Sequence, residues 1–593
     1  MCRGRGKTLS HEQERNMNMS TQQSGPKAPK DPTKKRKGFY IMRNKSVAGS
    51  PQPDGRGIQF LYMNDGRMIS SARLVGNITD EDMLKLLETT EGFRKLVHSI
   101  GVTVEMEDKE EIVDFVLQMY GKTDVYGSGT NLRLSVKADG MEQILPLEEC
   151  QWSEDDNIPG QIRFEFAKAE SLATVAVKYY LHDGFDAPEV EEENDVDFAS
   201  PYYQKMLEKS LMQTGNNVRL KAAMEKARKG EDVTIAFIGG SITQGAGAIP
   251  INTQCYAYKT FEGFCKQMGK TTEENIHFIK AGVGGTPSEF GMLRYERDVL
   301  REGAVEPDIV VVEFAVNDEG DETKGECYDS LVRKIYNSPN SPAVILLFAV
   351  FANDWNLQDR LSPVGKAYDL PMVSTLNTVV EQFYLKPGEG KVVSKNQFFY
   401  DSYHPSNIGH TIMADGLLHL LKTVDAQEKD KEEVDITRIN PPIGGEFESV
   451  KLLDRKAEYA GAVIDCGDFS GTDKELQCVE QDKNLIPTPE LPYNWMYQGT
   501  QGNVSGKAFA MDITCTALLM IIKDSASNSV GRAEVFVDGE KVLLADPHLN
   551  GWTHCNPLIC FRGRERKSYH VEVRMVPGEE GKDFTILGFG YVE

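Results

Sequence analysis

The sequence predicts an α/β chain: a doubly wound parallel-sheet domain over 198–424, an N-terminal α+β accessory domain over 38–187, and a C-terminal β-sandwich over 445–593. Three observations predict it. From Val233 to Ile238 the residues are almost continuously apolar and largely β-branched, the pattern of a strand buried on both faces of a sheet. Strand and helix signals then alternate as far as Val424, the rhythm of parallel strands joined by crossover helices. Beyond residue 445, strand-like runs recur at intervals of about 8–12 residues with no long helix, as in an all-β sandwich.

Length and charge narrow the function. At about 150 residues per domain, 593 residues make three or four domains. A composition of 40% hydrophobic and 26% charged residues is that of an ordinary globular chain. The net charge of −24 argues against a nucleic-acid partner and is compatible with a neutral substrate such as a sugar. No stretch approaches the roughly 20 apolar residues of a membrane span, so no membrane partner is expected. The first residues are basic but have no apolar core, so no secretory signal is expected. The ten cysteines are scattered, without a C-x-x-C pair or zinc-like spacing, and read as free thiols in a reducing cytoplasm.

Taken in order, residues 1–37 are polar and Lys/Pro-rich and read as a disordered tail. In 38–187, Thr79 offers an N-cap ahead of an apolar stripe, and the segment 107–121 reads as an amphipathic helix ending at Gly121. Strands return after it, in alternating segments that suit a half-exposed antiparallel sheet. An acidic linker spans 188–197, and a helical stretch over 202–232 leads into the Val233 strand. A charged and then Pro/Gly-rich linker follows Val424. In the sandwich, Asp538-Gly539 between two apolar runs marks a hairpin turn.

The chemistry lies at the ends of the predicted parallel strands, where open α/β sheets place their ligand crevices. Gly239 and Gly240 break the first strand and deliver Ser241 to that rim. Gly284-Gly285 follow the second strand, Asn317 the third, and Asp401 and His404 stand just before the last helix. Each segment alone also reads as a plain turn. Together, in this order, they form an acyl-transfer set. His404 can take the proton of Ser241 as it attacks a carbonyl, and Asp401 can hold the imidazole in one tautomer. The N–H groups of Ser241 and Gly285 and the side chain of Asn317 can stabilise the oxyanion. A metal set of Asp401, His404 and His410 lacks a completing ligand, so no metal is expected.

These segments resemble the blocks of the SGNH/GDSL hydrolases: GGSIT with Ser241, GVGGTPS with Gly285, AVND with Asn317, and DSYHP with Asp401 and His404. The resemblance covers roughly 230–424 and implies a flavodoxin-like fold with Ser241, Asp401 and His404 as a triad. Three positions depart from the pattern. Gly240 stands where an Asp is usual, Lys280 where an Asn often opens the second block, and Ala315 where a Gly is usual. They point toward the branch that resembles carbohydrate O-acetyl esterases, which often carry an extra β-sandwich.

The expectation is a serine esterase that removes O-acetyl groups from plant-derived oligosaccharides, xylan or mannan fragments, through an acetyl-enzyme. No cofactor is implied. A lipase or thioesterase of the same family, acting on longer acyl chains, and a non-catalytic carbohydrate-binding protein are the alternatives. Sugars dock on flat aromatic faces, so Trp355, Trp495 and Trp552, with Tyr493 and Tyr497 nearby, are candidate substrate-binding residues.

Overall fold

The computed structural model describes residues 36–593 apart from 53–54, 56, 63–66, 190–192, 476, 479–490 and 503. The expected tail over 1–37 therefore lies almost wholly outside the described residues, as does Cys2.

The central sheet is built by the apolar runs read from the sequence. Five parallel strands stand in the order Ile276–Gly282, Val233–Gly239, Ile309–Glu313, Ala343–Phe348 and Met372–Ser374, with Leu211–Gln213 antiparallel at the far edge. The second parallel strand in chain order thus lies outside the first, and the third begins on the first strand's other side. That reversal opens a crevice at the carboxyl end of Val233–Gly239. Alternate side chains of the same strand enter different cores: Val233, Ile235 and Phe237 one, Ala236 and Ile238 the other. Both cores are closed by helices, which is why the strand is apolar throughout rather than alternating. The helical stretch expected over 202–232 is split into Pro201–Glu208 and Val218–Lys229 by the edge strand Leu211–Gln213.

The N-terminal unit is two antiparallel sheets, one of four strands and one of five, around a core that includes Phe93, Phe115, Phe164 and Val177. The helix expected over 107–121 is instead the strand Ile112–Gly121. Val113, Phe115, Leu117 and Met119 all turn inward, a period of two, and both edges of the strand are paired, to Asn131–Lys137 and Asp156–Phe166. Val116, buried on the other face, made the segment mimic a helical stripe. The cap of Glu81–Leu86 is Asp80 rather than Thr79, its carboxylate accepting from the N–H groups of Asp82 and Met83.

The C-terminal unit packs two five-stranded antiparallel sheets face to face. Asp538 and Gly539, both at positive φ, turn Ala533–Val537 into Glu540–Ala545. In the strand Ala517–Asp524, Leu518, Met520 and Ile522 face the sandwich interior. Ala517, Leu519 and Ile521 face outward, yet they are buried because they share a core with the central unit's helix residues Leu293, Leu331 and Ile335. The sandwich is thereby fused to the central unit along a strand apolar on both faces. Among the described residues no helix is long and apolar enough to cross a membrane.

Candidate active site

Ser241 opens the one-turn helix Ser241–Gln244 immediately beyond the first parallel strand. Its O–H donates to His404 Nε2 at 2.9 Å, and His404 Nδ1–H donates to Asp401 Oδ2 at 2.9 Å. The other carboxylate oxygen accepts the N–H groups of Tyr403 and His404, each at 2.8 Å, which fixes the carboxylate on the turn that carries the imidazole. All three side chains are buried. The chain Asp401–His404–Ser241 orders the imidazole to accept at Nε2, the tautomer that general-base catalysis needs.

Of the groups expected to face an oxyanion, the Ser241 N–H and the Asn317 amide lie at one turn. As first residue of its helix, Ser241 has no preceding helical carbonyl for its N–H. Asn317 lies against Gly240, where a Cβ would come within 2.3 Å of its Oδ1. Here a glycine in place of the usual Asp makes room for the amide. Gly285 has φ +68°, and a Cβ on it would sit 2.2 Å from the Trp552 ring.

The sandwich holds this glycine turn. His554 Nε2–H donates to Gly285 O at 2.9 Å, while Nδ1 faces Asp524 Oδ2 at 3.2 Å. Asp524 also accepts from Asn550 and Asn556, and Cys478 Sγ lies 3.5 Å from Gly284 O. A second Asp–His pair, on another unit, thus sets the turn that carries a candidate oxyanion donor.

Beneath the Ser241 turn lie groups that the sequence does not single out. Arg294, fully buried, donates to Gly239 O and Ala281 O at 2.8 Å each, tying together the ends of the first two parallel strands. Nothing in its amphipathic helix distinguishes it in the sequence. Glu313 ends the third strand, and its carboxylate accepts from the Thr243 hydroxyl at 3.1 Å. Burial pushes its carboxyl up to about 7, while the Thr243 bond and the His404 ring pull it down. An acidic residue closing a wholly apolar strand was the available signal.

The tryptophans part company. Trp355 is half-buried and stacks toward Phe351, whose ring meets Tyr403 beside His404. Trp552 is half-buried on Gly285. Trp495 is a correction: only 3% exposed, it packs on Phe509 and Phe589 inside the sandwich, and no sugar can reach it. Tyr497 is buried with it, whereas Tyr493 is exposed.

His410 stands apart from Asp401 and His404 as a ligand: its Nδ1 accepts the Tyr256 N–H, its Nε2–H donates to Ala246 O, and burial pulls it down to about 3. Glu289, Asp321 and Cys327 form the one described cluster with metal-ligand spacing. Burial pushes Glu289 up to about 10 and the Cys327 thiol well above its ordinary range, so both favour their protonated forms.

Residues 237–412 match the model of the GDSL-like lipase/acylhydrolase family. No curated protein matches the chain. Among solved structures it is similar to a two-domain esterase (CEX) active on acetylated mannans, at 26% identity and a TM-score of 0.54, over 65% of this chain and 99% of that one. A structure of such an esterase co-crystallized with mannopentaose gives the same identity and TM-score over 65% and 98%. A family two carbohydrate esterase from Cellvibrio japonicus matches at 11% identity and a TM-score of 0.24, over 66% and 98%.

Proposed function

Residues 237–412 are a GDSL-like lipase/acylhydrolase domain and the chain is a carboxylic ester hydrolase, and from that premise we propose a serine esterase that removes acetyl groups from mannan-type oligosaccharides. The observation that carries the mechanism is the unbroken hydrogen-bond chain from Asp401 through His404 to Ser241. Ser241 Oγ attacks the acetyl carbonyl as His404 Nε2 takes its proton. The N–H groups of Ser241 and Gly285 and the Asn317 amide receive the developing oxyanion. His404 returns the proton to the departing sugar oxygen, leaving acetyl-Ser241. Water, deprotonated by His404, then releases acetate and restores the hydroxyl.

The choice of substrate draws on the likeness to an esterase active on acetylated mannans. Trp355, two rings away from His404, and Trp552, on the Gly285 turn, are the faces on which sugar rings would stack. We take 38–187, 198–424 and 445–593 as the domains of this enzyme. The nine cysteines described are free thiols, which supports a reducing, cytoplasmic compartment where imported oligosaccharides are the substrate.

Mass spectrometry of acetylated manno- and xylo-oligosaccharides, before and after incubation, tests the reading. Successive losses of one acetyl group from the mannan series are expected, and none with Ser241→Ala. Unaltered mannan oligosaccharides would reject the substrate, and undiminished activity of Ser241→Ala would reject the nucleophile. A preference for p-nitrophenyl esters of eight carbons or more would instead favour a lipase.

A further inference from the structure

The loop that carries Asp401 and His404 is gripped from behind by the N-terminal unit. Phe399 pairs with Pro405, Tyr400 N–H donates to His404 O, and Ser406 N–H donates to Phe398 O, both at 2.8 Å. Residues 398–406 therefore form a closed loop with Asp401 and His404 at its head and Phe398–Phe399 at its base. Lys45 meets that base. It lies where the strand Gly38–Ala48 slips register against Leu172–Leu181, just after Asn44 at φ +50°. From there its side chain leaves its own unit and becomes 97% buried against the loop. Nζ donates to Asn396 O at 2.8 Å and Phe399 O at 2.5 Å.

Two further contacts act on the same loop. The Tyr400 ring, adjacent to Asp401, meets Phe60 and Tyr62 of the N-terminal unit edge-on at 6.3 and 5.8 Å. Burial pulls the Lys45 ammonium down to about 8, with Arg43 acting in the same direction, while the carboxylates of Glu193 and Asp401 hold it up. An ammonium is costly to bury, and an unbranched apolar side chain would fill the same space without that cost. What the ammonium adds is a hydrogen bond to the Phe399 carbonyl at the loop's base, another to Asn396 O in the short helix that leads into it, and positive charge near Asp401.

We propose that Lys45 is a positioning residue through which the N-terminal unit fixes the 398–406 loop, so that the Asp401–His404 pair reaches Ser241 only while that unit is docked. The inference rests on the serine-esterase reading of the same site. It assigns work to a unit in which the sequence shows no chemistry.

The test is the rate and extent of fluorophosphonate labelling at Ser241 in the full chain, alongside p-nitrophenyl acetate kinetics. Lys45→Met keeps the side-chain length and removes the charge and the donors. Labelling at least 10-fold slower than wild type yet still reaching completion, with kcat reduced in step and KM within 2-fold, is expected. Completion separates slow chemistry from a smaller folded fraction. Labelling of Lys45→Met at the wild-type rate overturns the proposal, whereas a wild type that does not label at Ser241 overturns the esterase reading itself. Should Lys45→Met fail to fold, Phe60→Ala decides: slower but complete labelling supports the grip, and an unchanged rate refutes it.

Discussion

Glu313→Gln isolates a cost that the fold carries directly beneath its Ser241 turn. The carboxyl is wholly buried, and its one hydrogen-bond donor among the described residues is the Thr243 hydroxyl. Its pKa rises from the ordinary 4.5 to about 7, chiefly through burial. The folded protein therefore keeps a proton that the unfolded chain releases. For such a raised group, stability is fully present below the unfolded pKa and is lost as pH climbs through the folded one. At about 1.4 kcal/mol for each pKa unit, the loss is about 2 kcal/mol at pH 6 and about 3 kcal/mol at pH 8. Glutamine keeps the shape and the acceptor for Thr243 and cannot ionise. The variant should thus be more stable than wild type by those amounts, with the gain growing toward alkaline pH. Urea unfolding followed by helix circular dichroism at the two pH values reads this out, because most of the helix belongs to the central unit. A gain that does not grow with pH, or a variant less stable at pH 8, would refute the argument.

Two further substitutions probe the oxyanion side. Asn317→Ala should lower kcat on p-nitrophenyl acetate by about 10²–10³ with little change in KM, as loss of one oxyanion donor does; a loss under 5-fold would remove Asn317 from that role. His554→Ala frees the Gly285 carbonyl from the sandwich, and a donor displaced by about 1 Å should cost about 10–100-fold in kcat. The acetyl ester is too small to need a glycan surface, so unchanged kcat with His554→Ala would show that the turn holds its shape without the sandwich.

The parallel sheet was legible because its inner strands are buried on both faces, and continuous apolar runs such as Ile309–Val312 or Ala343–Phe348 have few other readings. The grouping of Ser241, Asn317, Asp401 and His404 was legible because each stands just past a strand or before a helix, on the rim the topology must create. Where two periods coincided, the reading failed: Ile112–Gly121 is buried on both faces for much of its length, so the period-two signal was hidden. Trp495 was misplaced for a related reason. Flanking turn residues suggested a surface, but the strand Trp495–Gln498 alternates inward at Trp495 and Tyr497.

What no local pattern encodes is convergence from other units. Lys45 lies 351 residues before the first carbonyl it grips, and His554 lies 269 residues after the glycine it holds. In its own strand each looks like an ordinary polar position, and only docking buries it. In the proposed mechanism the two residues bear on opposite members of one reaction: Lys45 on the loop of His404 and Asp401, His554 on the turn of Gly285, the candidate oxyanion donor. An esterase rim assembled this way has no spare edge, because three folded units each hold part of it. Loosening either flanking unit should then slow Ser241 chemistry even toward an ester as small as p-nitrophenyl acetate, which would make both outer units part of the catalytic frame.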